Sequence, residues 1–262
     1  MRITTRSAAA AIAFCCCISF ATAQEKSQSE GWRALPLIKD GKVSDDWLHV
    51  GWGTFVVDDG SLRTECDEKG MGLLVYRREK IGECEIKVVY KTKDSKSNAG
   101  VYVRIDDGIL TAEKPPAVHR DEKGKLSQDE IKKLMAASET EQGPWYAVHH
   151  GYEVQICEAA DEFHRTGAIY GLAKAAAAPA KSPGEWRTMI ITLSGSQVLV
   201  DLDGRRVSSF DSSGPLPTRE RNWTEPKREP KRPNPGYIGL QNHDPGDVVH
   251  FEEVSVRPLE DR

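Results

Sequence analysis

Runs in which apolar and polar residues alternate recur along most of the chain, and they predict strands. Residues 84–91 (CEIKVVYK), 98–105 (NAGVYVRI), 186–193 (WRTMIITL) and 197–202 (QVLVDL) place apolar or β-branched side chains at every second position, the period of a strand with one buried face. Shorter runs at 35–38, 54–58, 61–64, 70–77 and 205–210 extend the pattern. Asp40-Gly41, Asp59-Gly60 and Asp203-Gly204 fall between such runs, and Asp-Gly readily adopts the positive φ angles of a tight hairpin turn. The last strand, over 248–256, shifts its apolar register between Phe251 and Val254, which predicts a bulge near Glu252-Glu253.

Three stretches break this rhythm. Within 109–145, Ser127-Gln128-Asp129-Glu130 forms a capping box, and Ile131, Leu134 and Met135 follow at helical spacing. One short helix is expected there, with its apolar stripe docked on the sheet. His149 and His150 then lead into the next strand, where neighbours point to opposite sides. Residues 173–184 (AKAAAAPAKSPG) and the Pro-rich, basic stretch 212–235 read as surface loops.

Polar chemistry concentrates in residues 151–172, GYEVQICEAADEFHRTGAIYGL. Tyr152, Val154 and Ile156 alternate with Glu153, Gln155 and Cys157, so Glu153 and Gln155 point the same way, roughly 7 Å apart along a strand. Glu158, Asp161, Glu162 and His164 follow, and residues 166–171, with Tyr170, read as a turn into another short strand. In NAGVYVRI, Asn98, Gly100, Tyr102 and Arg104 share the face opposite the valines. Tyr237, Gly239 and Gln241 share a face near the end of the chain, and His243 continues that parity into a turn. Three blocks therefore offer polar groups from one strand face each, an arrangement equally compatible with a binding surface and with a plain solvated face.

Other features narrow the setting. Arg2 and Arg6, the apolar run 8–20 and Ala21-Thr22-Ala23 have the layout of a secretory signal peptide. The expected organisation is a leader over 1–23, a linker over 24–31 and one β domain over 32–259, in a secreted or periplasmic protein. The leader's apolar run is too short for a bilayer and no later segment is long and apolar enough, so no membrane span is expected. Lys and Arg total 36 against 40 Asp and Glu, for a net charge of -4. That balance gives no electrostatic case for nucleic acid or an anionic surface. Past the leader, Cys66, Cys84 and Cys157 remain. A Cys66–Cys84 bridge is possible, and three free, half-buried thiols fit as well.

Four blocks in order, NAGVYVRI, GYEVQICEAADEFHRTGAIYGL, GEWRTMIITLSGSQVLVDLDGRRVSSFD and GYIGLQNHDPGDVVHFEEVSVRPL, resemble the 3-keto-disaccharide hydrolase domain family. The resemblance covers about 32–259. It implies a concanavalin A-like jelly-roll β-sandwich, two antiparallel sheets whose concave face binds a carbohydrate ligand. Cys157-Glu158 stands where many relatives carry an aspartate, and 109–145 and 212–235 look longer than usual. The implied chemistry is cleavage of 3-keto-glycosides: a ketone at C3 acidifies the C2 hydrogen, and elimination of the C1 aglycone followed by hydration completes the reaction. Such a site needs a base near C2, a polariser for the ketone and groups for the hydroxyls. For those roles the shared strand parity of three blocks offers Glu153 or His164 as base, Arg104 with His243 as polarisers, and Asn98, Gln155 and Gln241 for the hydroxyls. Tyr102, Glu158 and Tyr170 add further binding groups. A divalent metal ion on Glu153, His164 or His243 is another way to polarise the ketone. Two other functions suit the same fold: a two-carboxylate glycoside hydrolase using Glu153 and Glu158, and a lectin-like module without turnover.

Overall fold

The computed structural model describes residues 31–178, 181–229 and 231–259. The expected leader, and the linker except its last residue, lie outside them. In chain order the strands are β1 (Arg33–Ala34), β2 (Ile38–Lys39), β3 (Lys42–Val43), β4 (Trp47–Gly51), β5 (Thr54–Asp58), β6 (Ser61–Glu65), β7 (Gly72–Ile81), β8 (Cys84–Thr92) and β9 (Ala99–Ile105). A 3-10 turn (Asp107–Thr111) and helices α1 (Gln128–Glu139) and α2 (Pro144–His150) precede β10 (Tyr152–Ile156). The chain continues with β11 (Arg187–Ser194), β12 (Gln197–Leu202), β13 (Arg205–Asp211), β14 (Gly236–Asn242) and β15 (Val249–Pro258).

Two antiparallel sheets form a sandwich. The larger runs β13-β12-β11-β8-β15-β6-β5, with β1 beside β15, and the smaller runs β10-β9-β14-β7-β4. The hairpin turns follow from local chemistry: φ is 45° and 76° at Asp59-Gly60 and 50° and 79° at Asp203-Gly204, positive at both positions as two-residue turns require. In β15, Phe251 pairs with Tyr90 and Glu253 with Val89, so Glu252 is the extra residue of the expected bulge. The core between the sheets is apolar, with Leu62, Ile86, Val101, Val154, Ile191, Leu240 and Phe251 essentially closed to solvent.

The two sheets differ in how their outer faces are treated. β8 and β11 alternate buried with half-buried residues, as strands with one wet face do. β9, β10 and β14 are buried at every position, because the outer face of the smaller sheet carries a second cover. There Leu73, Val75, Tyr102 and Ile105 pack with Ala137 of α1 and with Trp145 and Val148 of α2.

Several expectations change here. The 109–145 region and its exit hold two short helices, and His149 and His150 form the last turn of α2, started by Pro144 in the first-turn position that tolerates proline. Ser127 caps α1 by accepting the Glu130 amide, but the helix docks through Ala137 and Ser138 near its C-terminus, leaving Met135 42% exposed. Residues 166–171 form turns, joined to β10 and Ala173 through single bridges at Ile169. The 212–235 segment is no peripheral loop: it buries Glu225 completely and sets Trp223 against Trp145, ring centroids 5.6 Å apart. Cys66, Cys84 and Cys157 are free thiols.

Candidate functional site

On the covered face of the smaller sheet, a cavity of about 230 Å³ is lined by Asn98, Tyr102, Glu153, Gln155, Gln241 and His243, with Tyr170 and Thr224 on further segments. Met71, Trp145 and Val148 supply its apolar wall. Strand parity brings the polar set together. β10 pairs with β9 without a break, Glu153 opposite Tyr102 and Gln155 opposite Gly100, so alternate side chains of neighbouring strands emerge on the same face. Gln241 joins from β14 and His243 lies just past its end.

Glu153 is 8% exposed. Its Oε2 accepts a 2.8 Å hydrogen bond from the Tyr102 hydroxyl, and that oxygen in turn accepts one from Gln241 Nε2 at 3.2 Å. Burial dominates the Glu153 carboxyl and pushes its pKa from the ordinary 4.5 up to about 7, although Tyr102, His243 and His164 all pull the other way. A buried carboxyl poised near neutrality can hold or release a proton at working pH.

His243 has carboxylates for neighbours. Its Nδ1 lies 3.3 Å from Asp247 Oδ2 and 3.6 Å from Asp244 Oδ2, and its side chain is 32% exposed. Burial alone would lower its pKa, but the carboxylates of Asp247, Asp244 and Glu153 outweigh that and raise it above 6.5. Asp247 also accepts the Asn98 and Asp244 backbone amides, so one carboxylate ties the start of β9 to the histidine. Of the four buried side-chain oxygens without a partner among the described residues, two are Asn98 Oδ1 and Gln241 Oε1. Unpaired buried acceptors are costly, and here both belong to cavity-lining side chains, where ligand hydroxyls would satisfy them. Gln155 Oε1 accepts its neighbour's Ile156 amide at 2.9 Å.

Three expected site residues are elsewhere. Arg104 has φ of 53°, and β9 carries one extra residue there, since Tyr237 pairs with Ile105 but Gly239 pairs with Tyr102. This bulge breaks the parity that placed Arg104 with Tyr102, and its guanidinium donates instead to the Gly195 carbonyl at 2.7 Å. Glu158 lies beyond the end of β10 at Ile156, where alternation no longer applies, and pairs with Arg187 at 2.7 Å. His164 stands behind Tyr170, with Nδ1 2.7 Å from Asp161 and Nε2 2.8 Å from Glu225. Neither ring nitrogen is free to act as a base. Glu153 is therefore the one carboxylate among the described residues that line the cavity.

Residues not anticipated from the sequence complete the walls: Met71, Trp145, Val148 and Thr224, with Asp247 behind. The i,i+4 spacing of His243 and Asp247 was a readable signal for a paired histidine. Gly143-Pro144 before an apolar cluster was one for α2. Nothing local marks Thr224.

Residues 31–257 match the 3-keto-alpha-glucoside-1,2-lyase-like domain. The chain belongs to that family. Two solved structures from Parabacteroides distasonis ATCC 8503, each provisionally named a glycosyl hydrolase, share the family member's fold. One is 21% identical, with 87% of this chain and 99% of that chain covered and a TM-score of 0.54. The other is 16% identical, with 90% and 97% covered and a TM-score of 0.55. A Bacillus subtilis protein of unknown function with a galectin-like fold is 13% identical over 83% of this chain and 91% of its own, with a TM-score of 0.51. The family member thus has a lectin-like jelly-roll β-sandwich. No curated protein matches it.

Proposed function

We propose that this protein is carbohydrate-active and cleaves the glycosidic bond of 3-keto-glycosides by elimination, with Glu153 as the base. The observation that carries this reading is a carboxyl group nine-tenths buried, poised near pH 7 by burial and facing a cavity walled by amides and a histidine. Membership of a family described by 1,2-lyase chemistry supports it. Glu153 takes the hydrogen from C2, and the electron pair moves into the ketone as an enolate. His243, whose neighbouring carboxylates favour its protonated form, stabilises that oxygen. Collapse of the enolate restores the ketone, forms the C1=C2 double bond and expels the C1 oxygen, which takes a proton from water. Glu153 returns its proton to solvent, and water adding to the double bond completes the overall hydrolysis. Asn98, Gln155 and Gln241 receive the remaining hydroxyls.

A bound divalent cation would supply the same polarisation of the ketone. Glu153 and His243 are its ligand-type side chains in the cavity, with the unpartnered Asn98 and Gln241 oxygens as neutral donors. The test is incubation of the protein with a 3-keto-disaccharide and with its unoxidised parent, with and without chelator. The proposal expects release of the second sugar from the 3-keto compound alone, and sensitivity to chelator would bring in the cation. Binding of either compound without any release would leave a lectin-like module, and cleavage of the parent would overturn the elimination route.

A further inference from the structure

The base of the proposed reaction is held by Tyr102 and Gly100, to which that reaction scheme gives no role. We propose that Tyr102 and Gly100, two residues apart on β9, form a cradle that fixes the Glu153 carboxyl group in one orientation, with Gln241 orienting the phenol. This rests on the elimination reading for its purpose, though not for its geometry. Tyr102 donates to Oε2 at 2.8 Å, and Gln241 Nε2 donates to the Tyr102 oxygen at 3.2 Å, so the phenolic hydrogen has a single direction. Gly100 takes the other half of the group: a β-carbon there would stand 2.4 Å from Glu153 Oε1 and 2.8 Å from its Cγ. The backbone at Gly100 does not demand glycine, so the missing side chain serves the carboxyl and not a turn. Tyr102 is essentially closed to solvent, and burial together with the neighbouring carboxyl raises its pKa well above 10. It therefore stays a phenol and a donor.

The cradle makes Tyr102, Gly100 and Gln241 positioning residues, whose removal changes where the Glu153 carboxyl group points. The groups around Glu153 are Tyr102 on β9, His243 past β14 and Tyr170 after β10, with His164 acting from behind Tyr170. Of these, Tyr102 makes the direct hydrogen bond to its carboxylate. Without that donor nothing on β9 holds Oε2 in place and the carboxyl group can turn away from the sugar.

The experiment has two readouts on the full chain. The first is the orientation of the Glu153 carboxyl group in crystal structures of wild type, Tyr102→Phe and Gly100→Ala without substrate. One orientation is expected in wild type, and a turned or split one in each variant. The second is turnover of a 3-keto-disaccharide by the two variants, with kcat expected to fall about 10-fold in Tyr102→Phe, the worth of one hydrogen bond to a charged group, and about 100-fold in Gly100→Ala through displacement of the base, KM changing little in both. An unmoved carboxyl group in both variants, or full kcat in Gly100→Ala, overturns the cradle. A displaced carboxyl group in a protein that turns over no 3-keto-glycoside supports the cradle and strikes the elimination reading instead.

Discussion

Glu153 and Glu225 are both withdrawn from solvent, and the two regions around them are built on different terms. Glu225 is completely buried within the 212–235 segment, and its Oε1 meets Arg219 Nη2 at 2.5 Å and His164 Nε2 at 2.8 Å, while Oε2 accepts the Asn222 amide. Charge is answered by charge, and the segment is tied to His164 and, through Thr224, to Tyr170. Glu153 has a phenol for its direct partner and open cavity beside it. A buried carboxylate with cationic partners holds structure together. One with a neutral donor and space is a proton carrier. The difference between them, more than burial itself, separates scaffold from site.

That contrast can be broken by exchange. Glu153→Gln should lower kcat by roughly 10²- to 10⁴-fold, the usual worth of a positioned general base, with a folded protein by circular dichroism. If turnover persists, the two glutamates are not distinguished by chemistry.

The same substitution sharpens the contrast through stability. The Glu153 pKa is raised in the folded protein, from 4.5 to about 7, so the native state holds a proton that the unfolded chain gives up. Stability is then fullest below pH 4.5 and is lost as pH rises through about 7. Glu153→Gln should therefore be more stable than wild type at pH 8, by on the order of 3 kcal/mol at most, with the gap closing towards pH 4.5. Denaturant melts at the two pH values read it.

Glu225→Gln should move the other way at neutral pH, losing on the order of 2 kcal/mol by denaturant melts. That is less than the full cost of breaking a buried pair, because the Arg219 and His164 side chains are 29% and 23% exposed. Arg104→Met is the smallest: it should cost about 1 kcal/mol through the lost bond to the Gly195 carbonyl and leave kcat/KM unchanged. A large loss of turnover there would return Arg104 to the site.

Legibility in the sequence followed the unbroken ladders. The alternation in β8 and β11, the Asp-Gly turns and the bulge at Glu252 are local signals with local causes, and the structure has each of them. Parity brought Glu153, Gln155, Tyr102 and Gln241 to one face because β9 and β10 pair residue for residue from Tyr152 to Ile156. It failed at Arg104, where one inserted residue reverses the side chain, and at Glu158, two residues past the strand. Composition misled at 212–235. A basic, Pro-rich stretch looks solvated, yet ion pairs let Glu225 go inside and bring Thr224 to the cavity. Trp145 and Trp223 meet across nearly eighty residues, a contact that no window of sequence contains.

The central claim is that Glu153 removes the C2 hydrogen of a 3-keto sugar. The direct measurement is solvent exchange and cleavage of a 3-keto-disaccharide carrying deuterium at C2, compared between wild type and Glu153→Gln. The account predicts slower cleavage of the deuterated compound by wild type, and both cleavage and loss of deuterium slowed by roughly 10²- to 10⁴-fold with Glu153→Gln. Equal rates for both isotopes together with wild-type exchange in Glu153→Gln would contradict it.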